Sequence, residues 1–189
     1  MVVPAARGRP RSAEVDERII GAALDHLRAS GYRDLSIEHV AADAGVSKAT
    51  IYRRYRDKAD LASAALAVVS AARLRPPLPD DTRAALIELL ARFESGVARV
   101  GLGVLASFLD ERDPTVLELH RERTIERGLG RARWVLERGR ERGEISPDAD
   151  VDAALHLLFG ALFARRLSGD DIPRWRERVV DALLRGVAP

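Results

Sequence analysis

Residues 35–58 read Leu-Ser-Ile-Glu-His-Val-Ala-Ala-Asp-Ala-Gly-Val-Ser-Lys-Ala-Thr-Ile-Tyr-Arg-Arg-Tyr-Arg-Asp-Lys, and this stretch constrains the fold most tightly. Ser36 can cap a short helix whose apolar positions are Ile37, Val40, Ala41 and Ala44. Gly45 supplies the left-handed residue that a sharp helix-to-helix turn needs. Ser47 can cap a second helix that buries Ala49, Ile51 and Tyr55 in part and leaves Lys48, Thr50, Arg53 and Arg54 free. A short helix, a glycine turn and a second helix with a basic, hydroxyl-bearing face predict a helix-turn-helix able to enter a DNA major groove.

Charge is distributed to match. The chain has 189 residues and a net charge of +2. Residues 1–58 hold eleven cations against eight acids, which leaves −1 for residues 59–189. A basic N-terminal third on a near-neutral body is the footprint expected of a DNA reader with a separate second module. The two lysines of the chain, Lys48 and Lys58, bracket the second helix, and chance placement is the alternative reading. Residues 1–12 carry Arg7, Arg9 and Arg11 around Gly8 and Pro10, without apolar periodicity. They predict a flexible basic arm, either narrow enough for an A·T-rich minor groove or a tail that only screens phosphates.

Helical periodicity runs through the rest. Val15, Ile19, Ala23 and Leu27, with Ile20 and Leu24, predict a helix over roughly 14–30 closed by Gly31. Asp57 can cap a connecting helix over 57–73, with Leu61, Ala64, Ala65 and Val68 inward. The run Arg75-Pro-Pro-Leu-Pro-Asp-Asp81 is the clearest interruption. Helices are expected near 82–98, 101–110, 114–142, 148–167 and 173–187. Period-two alternation is absent, so the fold class is all-α. The expected divisions are a basic arm (1–12), a three-helix DNA-binding domain (13–58) and a helical ligand-binding and dimerisation domain (59–189).

Several function classes drop out. The chain has no cysteine, which removes disulfides, thiolate metal sites and cysteine nucleophiles. His26, His39, His120 and His156 lack metal-ligand spacing. The Gly-Leu-Gly pairs at 101–103 and 128–130 have no strand before them and are not nucleotide loops. There is no catalytic constellation, so the expectation is no enzyme, no metal and no cofactor. No apolar run is long enough for a bilayer, and the N-terminus is the reverse of a secretory signal, so a cytoplasmic address without membrane partners is expected.

The segments Leu35-Ser-Ile37, Val40-Ala-Ala-Asp-Ala-Gly-Val-Ser-Lys-Ala-Thr-Ile-Tyr52 and Tyr55-Arg-Asp-Lys-Ala-Asp-Leu61 resemble the tetracycline-repressor-like (TetR) family of bacterial transcriptional regulators. The likeness is close over residues 13–65 and architectural beyond. It departs at Ala49, where glycine is frequent, and at Arg54 beside Arg53, which makes the helix end unusually cationic. The resemblance implies that Ser47 and Thr50 bond phosphates. Lys48 and Ala49 would face base edges, Tyr52 would touch phosphate or base, and Lys58 would reach a phosphate. The chemistry agrees: neutral donors suit phosphate oxygens, and a lysine can reach guanine O6 or N7. Arg53 and Arg54 are further DNA candidates, with a solvated face as the alternative. Of the two tyrosines, Tyr55 is expected in the core and Tyr52 at the DNA.

Two expectations concern the body. Phe93, Leu105, Phe108, Trp134 and Phe159 are candidates for lining an apolar ligand pocket, which the resemblance favours, although aromatic residues are more often core. Leu157, Leu158, Gly160, Ala161, Ala164, Val180, Leu183 and Leu184 are candidates for a homodimer interface built from the last two helices of each subunit. The function these imply is a repressor released from a palindromic operator by a small apolar or amphipathic ligand. The alternative is a helical DNA-binding dimer with no effector.

Overall fold

The structure, a computed structural model, describes residues 10–74, 77–109, 114–169 and 171–188, without the side chains of 10–12, 71–74 and 109. The described residues form helices joined by turns and contain no strand. The elements are α1 (Pro10–Ser30), α2 (Ile37–Asp43), α3 (Lys48–Tyr52), α4 (Lys58–Leu74), α5 (Thr82–Val100), α6 (Leu102–Leu109), α7 (Pro114–His120), α8 (Glu126–Glu141), α9 (Val151–Ser168) and α10 (Trp175–Val187). A π-helical turn, Arg121–Ile125, joins α7 to α8.

The chain forms two compact units. The first comprises residues 1–69 and 100–124, the second 70–99 and 125–189. In the first, Ile19, Ala23 and Leu27 of α1 meet Val40 of α2, Ile51 of α3 and Leu61, Ala65 and Leu66 of α4 in one core. α1 begins at Pro10, four residues before its expected start. Proline is tolerated in a first turn, where its missing N–H has no intrahelical acceptor. Gly31, at φ 76°, ends α1 and donates its N–H to the Leu27 carbonyl at 2.9 Å. A Cβ there would come 3.2 Å from the Ser107 Cβ. Beside it, the Tyr32 amide donates to Ser107 Oγ at 3.0 Å, and the Tyr32 and Phe108 rings lie 4.9 Å apart. α6 is thereby seated on the end of α1. The compact units thus part the chain at other points than residue 58, because α6 and α7 share the first unit's core.

α4 turns a different face inward than expected. Leu61, Ala62, Ala65, Leu66 and Val69 are buried, whereas Val68 is exposed. In the second unit α9 packs against both α8 and α10. Leu86 and Leu90 of α5, Ala132 and Leu136 of α8, Leu155, Leu158 and Leu162 of α9 and Val180 of α10 are buried there. α9 is capped by Asp150, whose carboxylate accepts from the Ala153 amide at 2.9 Å, and is stopped by Gly169 at φ 71°.

Candidate nucleic-acid interface

The helix-turn-helix is built by local bonds. Ser36 Oγ accepts from the His39 amide at 3.4 Å and starts α2. Gly45 takes φ 63° and turns the chain. Ser47 caps α3 by accepting from the Thr50 amide at 3.2 Å, and the Ser47 and Thr50 hydroxyls share a hydrogen bond of 3.0 Å. Ile51 is fully buried and pins the helix to the core. Ser47, Lys48, Ala49, Tyr52 and Arg53 are exposed, and Thr50 is half-buried. Ala49, read from its spacing as partly inward and from the resemblance as facing base edges, is exposed. The tyrosines divide as expected. Tyr52 is 54% exposed, while Tyr55 packs against the core, where burial, reinforced by Asp16, raises its phenol pKa.

The remaining cations are not equivalent. Arg54 is not free: its Nε donates to Asp16 Oδ1 of α1 at 2.6 Å and its Nη1 to the Thr50 carbonyl at 3.3 Å. It fastens the end of α3 to α1. Lys58 donates to the Arg33 carbonyl at 2.5 Å and lies over the Tyr32 ring at 4.8 Å. Lys48 Nζ stands 3.3 Å from Glu38 Oε2 on α2. Neither Asp16 nor Glu38 was singled out by sequence. Asp16 lies 38 positions from its partner, beyond local pattern. Arg7 and Arg9 lie outside the described residues. Arg11 falls in α1, and its side chain is likewise outside the description.

Behind α3, the loop into α4 is tied to the π-helical turn. Asp60 caps the loop by accepting from the Arg56 amide at 2.9 Å. Arg123 reaches its carboxylate at 2.6 Å and its carbonyl at 3.2 Å. Burial works against the ionised Asp60, but the Arg56 amide and the Arg123 guanidinium outweigh it and hold the carboxyl below its ordinary range. His120, stacked on Phe108 at 4.8 Å, is buried with Nδ1 unpartnered, and burial lowers its pKa.

The expected pocket residues are divided between the two units. Phe108 is 1% exposed, packed by Tyr32 and His120 of its own unit, and Leu105 lies against the same core. Phe93 and Phe159 meet edge to face at 4.9 Å in the second unit, with Phe163 beside them. Trp134 is 56% exposed, under the Arg138 guanidinium. α8 buries Ala132, Val135, Leu136 and Gly139, so position 134 falls on the outer side. Phe108 is thus packed within its own unit, and Trp134 lies on the outer side of α8.

The interface candidates also divide. Leu158, Val180 and Leu183 are buried within the second unit. Leu157, Gly160 and Ala164 are exposed along one edge of α9, and Ala161 and Leu184 are half-buried. Among the described residues no group of three metal-ligating side chains gathers, and no helix is long and apolar enough to cross a membrane.

The chain matches two family models, one for bacterial regulatory proteins of the TetR family over residues 19–65 and one for the tetracyclin repressor-like C-terminal domain over residues 76–187. It is 32% identical to YdeS, an uncharacterised helix-turn-helix-type transcriptional regulator of Bacillus subtilis strain 168, over 88% of this chain and 85% of that one. It is 32% identical to a DNA-binding transcriptional repressor, TetR, of Mycobacteroides abscessus, over 86% of this chain and 85% of that one. The structure resembles that of the TetR-family regulator SCO0332, with a TM-score of 0.71 at 29% identity, covering 93% of this chain and 100% of that one. The chain belongs to the TetR family of helix-turn-helix transcriptional regulators.

Proposed function

We propose that the protein is a dimeric, cytoplasmic repressor of a palindromic operator, in which residues 13–58 read the duplex. The outward face of α3 carries this reading. Lys48 and Ala49 meet base edges, Ser47, Thr50 and Tyr52 hold phosphates, and Arg53 extends the positive rim. Lys58 reaches a phosphate on leaving the Arg33 carbonyl. Arg54 serves first to position α3. Arg7, Arg9 and Arg11 add affinity in A·T-rich flanks, and removing residues 1–12 flattens the salt dependence by about 0.9 log units per lost phosphate charge.

The second module dimerises along the exposed edge of α9. Leu157, Gly160 and Ala164, with Ala161 and Leu184 beside them, offer apolar area and close approach of helices. A small apolar or amphipathic effector bound in the residue 59–189 region, at Phe93 and Phe159, shifts the dimer away from its DNA-competent state. One observation favours the second reading, a dimer without an effector: Phe108 is already packed by Tyr32 and His120. A gel shift on the selected operator, repeated with each compound that raises thermal stability in a screen, tests both. Release of DNA by such a compound supports the repressor with an effector. Binding to DNA with no compound stabilising the protein supports the second reading, and no duplex binding overturns both.

A further inference from the structure

We propose that Glu38 and Lys48 act as a unit that reads one G·C base pair, with Glu38 as its acidic half. The inference rests on the reading of α3 as the base-facing helix. The two side chains come from different helices of the motif and meet at its surface, Nζ to Oε2 at 3.3 Å, with Glu38 71% and Lys48 55% exposed. So open a pair is weakly held in water and opens readily to other partners. A carboxylate beside α3 is repelled by the phosphates of any duplex, so its presence there costs affinity unless a donor meets it.

The major groove holds such donors. Cytosine N4 presents a donor next to guanine O6, across the same base pair, while guanine O6 and N7 present adjacent acceptors. The ammonium of Lys48 satisfies the guanine acceptors, and Glu38 accepts from the cytosine amine. An A·T pair also offers a donor and an acceptor, but adenine N6 takes the place of guanine O6 and denies the ammonium its second acceptor. C·G likewise puts its donor where guanine O6 stood, away from the carboxylate, and T·A keeps a donor in place but sets the thymine methyl where guanine N7 stood. Glu38 therefore adds discrimination by penalising wrong sequences, not by raising affinity overall.

The test is selection of duplexes from a random pool by the full chain, its Glu38→Ala variant and its Lys48→Ala variant, followed by affinities for the selected site and for a random duplex. Glu38 is exposed, and alanine favours helix, so the variant keeps its circular dichroism spectrum. Glu38→Ala is expected to lose one G·C preference per half-site, to bind random duplex more tightly, and to cut the ratio of specific to random affinity about tenfold. Lys48→Ala is expected to lose the same position. Loss in Lys48→Ala alone, or equal tightening by Glu38→Ala on all duplexes, overturns the pair and leaves base readout by Lys48 standing. Loss in Glu38→Ala alone overturns the pair and that readout together.

Discussion

Side chains on α3 differ in whether they face outward or fasten the helix down, and substitutions should separate the two. Thr50→Ala is expected to weaken every duplex alike, because a phosphate contact carries no sequence information. Filter binding on selected and random duplexes checks this by showing an unchanged ratio. Arg54→Ala should instead act through stability. The Arg54–Asp16 pair is partly buried, and its loss should cost on the order of 1 kcal/mol in denaturant unfolding. Asp16→Ala should cost as much, and the double variant little more. The caps Ser36 and Ser47 and the turn at Gly45 were legible in the sequence because each acts within three or four residues. Arg54, Lys58 and Glu38 were legible only as charges, since their partners are set by how α1, α2 and α3 pack.

Among the helices, periodicity located the elements but not always the face each turns inward. The stretch 155–163 is apolar nearly all round, so sequence could not separate the side serving its own unit from the side left outside. Leu158 and Leu157 are adjacent, yet one is fully buried and the other is 67% exposed. Leu157→Glu should therefore yield folded monomers. Val180→Glu should unfold the second unit, since it places an unpaired carboxylate in a fully buried position, at a cost of several kcal/mol. Sedimentation together with circular dichroism distinguishes the outcomes. A folded monomer from Val180→Glu would contradict the packing described.

The link between α4 and the π-helical turn, with His120 of α7 next to that turn in sequence, should make stability sensitive to acid. The pKa of His120 is lowered in the folded state, so protonation favours the unfolded chain. Stability should fall as pH drops below the ordinary imidazole value of about 6.5, until the folded pKa is reached. His120→Leu should remove that loss. The pKa of Asp60 is also lowered, so its contribution is present at neutral pH. It is lost as pH falls from about 3.9 through the folded value. Asp60→Asn should cost about 1–2 kcal/mol at neutral pH, by leaving the partly exposed Arg123 with one acceptor fewer. Unfolding curves across pH for the three proteins check both signs.

Across the whole molecule, the chain passes between its two compact units within α4, at the end of α5 and at the π-helical turn. The all-helical class and the motif were legible because both are local. The membership of α6 and α7 in the first unit was not, because it depends on contacts such as Tyr32 with Ser107, 75 positions apart. Any effector that releases DNA must, by linkage, bind more weakly in the presence of operator by the same factor. Two copies of this chain are expected to read DNA through paired α3 helices. Selection of duplexes from a random pool by the unmodified protein checks this. The expected product is an inverted repeat with half-site centres about 10 base pairs, or a multiple of that, apart. A single unrepeated half-site, or no enriched sequence at all, would contradict it.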